Sequence, residues 1–187
     1  RKDPPTPTEK PIKNIEQDLD VFISHQRSII GLDVKKLEKI REACHSRGFA
    51  FGVSLCYPGF QSWMNHVEDS IMQLSVTELE NPEILERWHQ FDKQRCKEMM
   101  GFAIQAKPDY ILFGGSGTIT LSSPDLAMKY AIPSIKEQSA MAKIAGIPTM
   151  LHSCGKSRVL VEMLVDHTNV NSINPLEIAP MGDVDLR

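Results

Sequence analysis

Short apolar runs alternate along this chain with longer stretches whose apolar positions recur every three or four residues. The runs at 49–55, 110–113, 149–151 and 170–173 are bounded by turn residues and predict buried strands. Helical spacing fills the intervals at 61–74, from 81 to 99 or beyond, at 124–145 with an interruption at Pro133, and at 156–166. Upstream, Ile15, Leu19, Phe22 and Ile23 predict an amphipathic helix over 15–27. Asp33 is the expected N-cap of a helix carrying Leu37, Ile40, Arg41 and Cys44, which Gly48 closes. Asn81 is expected to cap the helix that Pro82 opens, and Cys56-Tyr57-Pro58-Gly59 is expected to turn the chain after its first strand.

Strands alternating with helices predict a parallel sheet with right-handed crossovers. Three successive strand ends then carry Gly-Gly-Ser-Gly (114–117), His-Ser-Cys-Gly (152–155) and Asn-Pro-Leu-Glu (174–177), and function is expected in these loops. Four strands are half of what a closed (β/α)8 barrel needs, and such barrels run to about 250 residues. The expectation is an incomplete portion of a longer barrel spanning 15–187, or a half-barrel that pairs with a second copy as a homodimer. Arg1 is not a natural start, so residues are expected before it or the chain is processed.

Composition narrows the class. Lys and Arg number 21 against 24 Asp and Glu, without the basic cluster that nucleic-acid binding requires. No apolar run reaches the length of a membrane span, and the first residues lack a signal-peptide profile. Cys44, Cys56, Cys96 and Cys154 are widely spread, which fits a reducing cytoplasm better than a disulfide framework. Residues 1–14, with Pro4, Pro5, Pro7 and Pro11, have the composition of a linker or disordered lead.

The sharpest chemical signal is His152-Ser153-Cys154-Gly155, directly after the apolar run 147–151. Strand side chains alternate, so His152 and Cys154 face the same way and offer two zinc ligands at a strand's carboxyl end. Positions i and i+2 are roughly 6.6 Å apart along a strand, so one ion is reachable only if the chain curls, which Gly155 permits. The plainer reading is a core cysteine beside a hydrogen-bonded histidine. Glu177 is the candidate catalytic carboxylate, as an oxygen ligand or as the acceptor that holds His152 in its tautomer; a solvated or loop-bound carboxylate is the alternative. Gly114, Gly115, Ser116 and Asn174 are the candidate cofactor-binding residues, with the 114–117 backbone able to offer N–H groups to an anion or simply to turn. Cys44 and Cys96 read as buried hydrophobes within helices, and Cys56 as a pocket-lining residue at a strand end. Trp63 and Trp88 fit core stripes, while His25, His45, His66 and His89 read as solvated helix residues. Asp183 and Asp185 are expected to favour the start of a following helix.

The series Phe113-Gly114-Gly115-Ser116-Gly117, Ser122-Ser123-Pro124, Pro133, Gly146-Ile147-Pro148-Thr149, His152-Ser153-Cys154-Gly155-Lys156, Asn174-Pro175-Leu176-Glu177 and Met181-Gly182-Asp183 resembles the uroporphyrinogen decarboxylase superfamily. The resemblance spans roughly 49–187, and its specific part is 110–183. It implies a (β/α)8 barrel with its site at the carboxyl ends of the strands. The motif looks like that of the zinc-dependent, corrinoid-linked methyltransferase branch, in which the His-x-Cys supplies two zinc ligands and a later Cys, here expected beyond Arg187, a third. The implied reaction moves a methyl group between a corrinoid (cobalamin) on a partner protein and a small-molecule thiol or methylated substrate. The decarboxylase branch carries Arg-x-x-Gly-Arg near its amino terminus, a motif not found in these residues. Its carboxylate-rich tetrapyrrole substrate would call for more cations than Lys156 and Arg158. A decarboxylase of this fold, or a non-catalytic barrel subunit that binds a corrinoid protein, remains the alternative.

Overall fold

Four strands, β1 (Gly52–Leu55), β2 (Tyr110–Gly114), β3 (Thr149–His152) and β4 (Ser172–Asn174), pair in sequential order as one parallel sheet. The structure is a computed structural model that describes residues 9–26, 28 and 30–185. The strands predicted at 110–113, 149–151 and 170–173 are therefore adjacent and parallel. β1 is shorter than the run 49–55 because the Asp109 carboxylate, 2.7 Å away, accepts the N–H of Phe51 in place of a ladder partner. Phe49 is left exposed. The helices are α1 (Ile15–Ser24), α2 (Val34–His45), α3 (Phe60–Trp63), α4 (Ile71–Glu80), α5 (Pro82–Gln105), α6 (Pro124–Leu126), α7 (Ile132–Ile144) and α8 (Arg158–His167). The fold is mixed α/β, and among the described residues the sheet is open, with β1 and β4 as its edges.

Alternation along the strands divides the sheet into two unlike faces. Val53, Leu55, Ile111, Phe113, Leu151 and Ile173 point one way, onto Met100 and Ala103 of α5, Ile132, Ile135 and Ala142 of α7, and Leu160 and Leu164 of α8. The opposite face carries Ser54, Leu112, Gly114, Met150, His152, Ser172 and Asn174, all half-buried or exposed. Among the described residues helices cover one face only, and His152 stands on the other.

A second core is aromatic and lies among the helices. Trp63 and Trp88 stack with ring centroids 5.0 Å apart, and Tyr130 meets Trp63 edge-on at 5.1 Å. Phe60, Leu19, Leu74 and Leu85 complete it, so both tryptophans are core residues, as their spacing predicts. Ile12 is wholly buried there and bridges Val67. Residues 9–14 are thus docked chain rather than linker, while 1–8 lie outside the described residues.

Tertiary contacts override several local expectations. The helix expected over 61–74 is broken, because Ile12 takes the His66 carbonyl at 3.0 Å and gives its own to Glu68 N–H at 2.8 Å. Asp69 and Ser70 then pass through positive φ before α4 begins. Asn81 precedes α5, but its side chain donates to Glu16 instead of capping. Asp33 does cap α2, accepting from Lys36 N–H at 3.0 Å. Pro133 lacks the N–H that an unbroken helix would use, and the turn before it widens to a π-helix over Ala127–Ala131. His89 is not solvated; it is buried edge-on to Tyr130. His66 is half-buried in a turn, whereas His25 and His45 are exposed as expected.

Asp183 opens no further helix among the described residues. Its carboxylate reaches back to accept from Ser157 N–H at 2.7 Å and Arg158 N–H at 3.1 Å, capping α8. Those bonds, that of Arg158 first, hold its pKa below the ordinary carboxylate value. No helix of the described residues is long and apolar enough to cross a membrane.

Candidate functional site

β3 ends on His152, and the register places Gly114 of β2 and Asn174 of β4 on either side of it. Partners in a parallel register share a face, so three of the candidate residues form one row on the face that no helix of the described residues covers. Asn174 also accepts Ser153 N–H on its carbonyl at 2.9 Å, which extends the pairing past the strand end.

Gly155 then turns the chain with φ +87°, a conformation open to glycine, and a Cβ there would overlap the Thr120 hydroxyl. The bend brings the two side chains together, with His152 Nε2 3.3 Å from Cys154 Sγ. Ser116 Oγ lies 3.2 Å from the same nitrogen. The remaining space around the pair is set by the loop after β2. Gly115 approaches the Tyr57 ring so closely that a Cβ would collide with the phenol oxygen, which donates to the Gly115 carbonyl at 3.1 Å.

Beneath the loops runs a chain of buried hydroxyls. Tyr57 and Thr118 are 2.6 Å apart, Ser153 donates to Thr118 at 3.0 Å, and Thr118 N–H returns to Ser153 Oγ at 3.2 Å. Burial pushes the Tyr57 phenol far above its usual range, so it stays a neutral donor. Because Ser153 sits between His152 and Cys154 and points inward, this network fixes the strand end from behind. Tyr57, Thr118, Ser153 and Thr120 are supporting residues that the sequence pattern does not single out, and Asp183, read from the sequence as favouring a following helix, joins them. Their roles depend on contacts 25 to 61 positions apart along the chain.

Glu177 reaches the site through the backbone, its carboxylate accepting the N–H of Gly155. Its contact is with the turn that carries Cys154. The 114–117 segment is held by the Tyr57 and Thr118 hydroxyls on the Gly115 carbonyl, and the next helical residue is Pro124. Its glycines serve a close approach and a turn rather than a helix start. Cys56 does not join the histidine; its sulfur lies 4.0 Å from Cys96 on α5.

An imidazole nitrogen and a thiol sulfur suit zinc. With bonds of about 2.0–2.1 Å and 2.3 Å, two ligands at the tetrahedral angle stand about 3.6 Å apart. The observed 3.3 Å corresponds to a ligand–metal–ligand angle near 100° by the same bond lengths. The pair therefore fits two corners of a tetrahedron with little movement. Among the described residues, no group of three His, Cys, Asp or Glu side chains is arranged to hold a metal ion.

No protein-family model and no curated protein matches this chain.

Proposed function

We propose that this chain contributes four consecutive strands of a (β/α)8 barrel and carries two zinc ligands, His152 and Cys154, of a corrinoid-linked methyltransferase. The observation that carries the reading is the 3.3 Å approach of His152 Nε2 to Cys154 Sγ on the uncovered face at the carboxyl end of β3. The sequential order β1–β4, with helices packed against one face, supports the barrel, whose interior would be the other face. Catalytic zinc sites keep three protein ligands and one open position, so a third ligand, a cysteine by the resemblance, is expected from outside the described residues.

The roles divide among the chain's own groups. His152 holds the metal through Nε2, which requires the imidazole proton on Nδ1. Cys154 holds it as the thiolate. When bound, zinc supplies Lewis acidity that favours the ionised form of a substrate thiol at neutral pH. Ser116 Oγ, beside His152 Nε2, is placed to orient a polar group of the bound substrate. Glu177 keeps the Gly155 turn in register, so that Cys154 points at the site. Gly114, Gly115 and Asn174 line the approach, where a thiol or methylated small molecule would meet a corrinoid carried by a partner protein.

Metal content and turnover test the proposal together. The full-length protein that carries this chain and the third ligand should bind close to one zinc per chain by elemental analysis, and Cys154→Ser should remove most of it while circular dichroism stays unchanged. With zinc bound, methylcobalamin and a small thiol should give a time-dependent loss of the methylcobalamin absorbance, abolished in the same variant. Zinc content unaltered by Cys154→Ser would overturn the metal site. Zinc bound through both residues without methyl transfer in either direction would overturn the reaction.

A further inference from the structure

A second pair of thiols stands at a different strand end. Cys56 directly follows β1 and is exposed, while Cys96 lies midway along α5 and is 4 % exposed. Their sulfurs are 4.0 Å apart, close enough for one thiol to hydrogen-bond the other. Both border a cavity of about 130 Å³ whose walls include His66, Asp92 and Arg95. A core cysteine such as Cys96 needs no explanation beyond packing. An exposed cysteine poised over it, beside a polar cavity, is a different arrangement.

We infer that Cys56 and Cys96 form a peroxide-reactive pair, Cys56 as the attacking thiolate and Cys96 as the thiol that resolves it to an intrachain disulfide. The two sulfurs are unlike because their surroundings are unlike. The Cys96 proton, donated to Cys56, is the largest influence and brings the Cys56 pKa down to about 7. Burial and Asp92 oppose this, and Arg95 assists it. Cys96 is driven up by the bond it donates and by burial, so the interior thiol keeps its proton. His66, across the cavity, is pushed below its ordinary value by burial and is neutral at pH 7.

The chemistry balances with a hydroperoxide as the oxidant. The Cys56 thiolate attacks the peroxide oxygen; an S–O bond forms, the O–O bond breaks, and hydroxide or alkoxide leaves to take a proton from solvent. Oxidation removes the Cys56 charge that held the Cys96 proton, and Cys96 passes that proton to the sulfenic hydroxyl as its sulfur attacks the Cys56 sulfur. The S–S bond forms, the S–O bond breaks, and water leaves. Two thiols are oxidised by two electrons, and one peroxide is reduced to water and water or alcohol. Closing from 4.0 Å to a bond of about 2 Å asks for about 2 Å of sulfur movement at the end of β1 against α5.

The test uses the intact protein, hydrogen peroxide and dimedone, with peptide mass mapping. Wild type should give a Cys56–Cys96 cross-link that reductant reverses, with Cys44 and Cys154 unlinked. Cys96→Ala should leave Cys56 as a sulfenic acid trapped by dimedone, and Cys56→Ser should give no trapped sulfenic acid at Cys96. In wild type, alkylation of Cys56 by iodoacetamide should be half-maximal near pH 7, and Cys96→Ala should shift that midpoint upward because the donor is lost. A folded wild type that forms no Cys56–Cys96 link would overturn the inference. Trapping at Cys154 or Cys44 with Cys56 unlabelled would do the same, as would an alkylation midpoint that Cys96→Ala leaves in place.

Discussion

Glu177, in the loop after β4, holds the backbone N–H of Gly155, in the loop after β3. Two neighbouring strand ends are thereby tied through a carboxylate and a peptide group, leaving the His152 and Cys154 side chains free to meet. Candidate chemistry sits on side chains here, while its precision comes from backbone turns that other side chains hold.

Gly155→Ala should therefore be costly. Left-handed φ costs a non-glycine residue about 1–2 kcal/mol, and the new methyl must also displace the Thr120 hydroxyl. Urea unfolding should show a loss of about 2 kcal/mol or more. Thr120→Ala in the same chain should recover part of that loss, so the double variant is less destabilised than the sum of the singles. Additive effects would show that the approach to Thr120 is unimportant.

Legibility in the sequence follows the range of the interactions. Gly114, His152 and Asn174 are readable as strand-end residues because short apolar runs bounded by glycine and proline mark parallel strands, and parallel register then aligns their ends. The approach of Ser116 to His152 is not readable, since that loop's path depends on Tyr57 and Thr118 hydroxyls. The break near Val67 is hidden for a similar reason: Trp63, Val67 and Ile71 keep helical spacing, and only the docking of Ile12 diverts the backbone. His89 shows the limit of polarity as a guide, because a histidine on a helix reads as solvated until Tyr130 is found covering it.

Asp183 supplies a cap from 25 positions away, and its removal should be felt at α8. Asp183→Ala should cost about 0.5–2 kcal/mol in urea unfolding, the range of a lost N-cap. The native carboxyl is held below its ordinary value of 3.8, so its stabilising effect is present above that value and lost as pH falls through the native one. Asp183→Asn, which keeps an acceptor oxygen, should blunt the acid loss of stability below about pH 4 relative to wild type. An unchanged acid limb in Asp183→Asn would show that the cap is not made by the ionised group.

The hydroxyl chain behind the site gives a subtler expectation. Tyr57→Phe removes a buried donor to the Gly115 carbonyl and a partner of Thr118 without opening a cavity. A loss of about 0.5–1.5 kcal/mol is expected, the net worth of one hydrogen bond, because the Gly115 carbonyl keeps the Thr118 hydroxyl and Thr118 keeps Ser153. Zinc content should fall in Tyr57→Phe only if Gly115 and Ser116 shift, so metal analysis beside the unfolding curve separates a global loss from a local one. Stability equal to wild type would mean that water replaces the phenol.

Asp92 carries the opposite pH signature from Asp183. Burial raises its carboxyl to about 6, only partly offset by Trp63 Nε1–H at 2.8 Å and by Arg95. Well below pH 3.8 the group is protonated whether the chain is folded or not, and it adds no pH dependence. Between 3.8 and about 6 the folded state binds more protons than the unfolded one, so stability falls as pH rises through that window. The ionised form then costs the folded protein about 2–3 kcal/mol at neutral pH, since each tenfold change in proton affinity is worth about 1.4 kcal/mol. Asp92→Asn keeps an acceptor for Trp63 and removes the charge, so it should stabilise the protein at pH 7 by up to that amount and change it much less at pH 4. Urea unfolding at both values measures the difference. A variant less stable than wild type at pH 7 would mean that the charge is needed, with its attraction to Arg95 outweighing the desolvation.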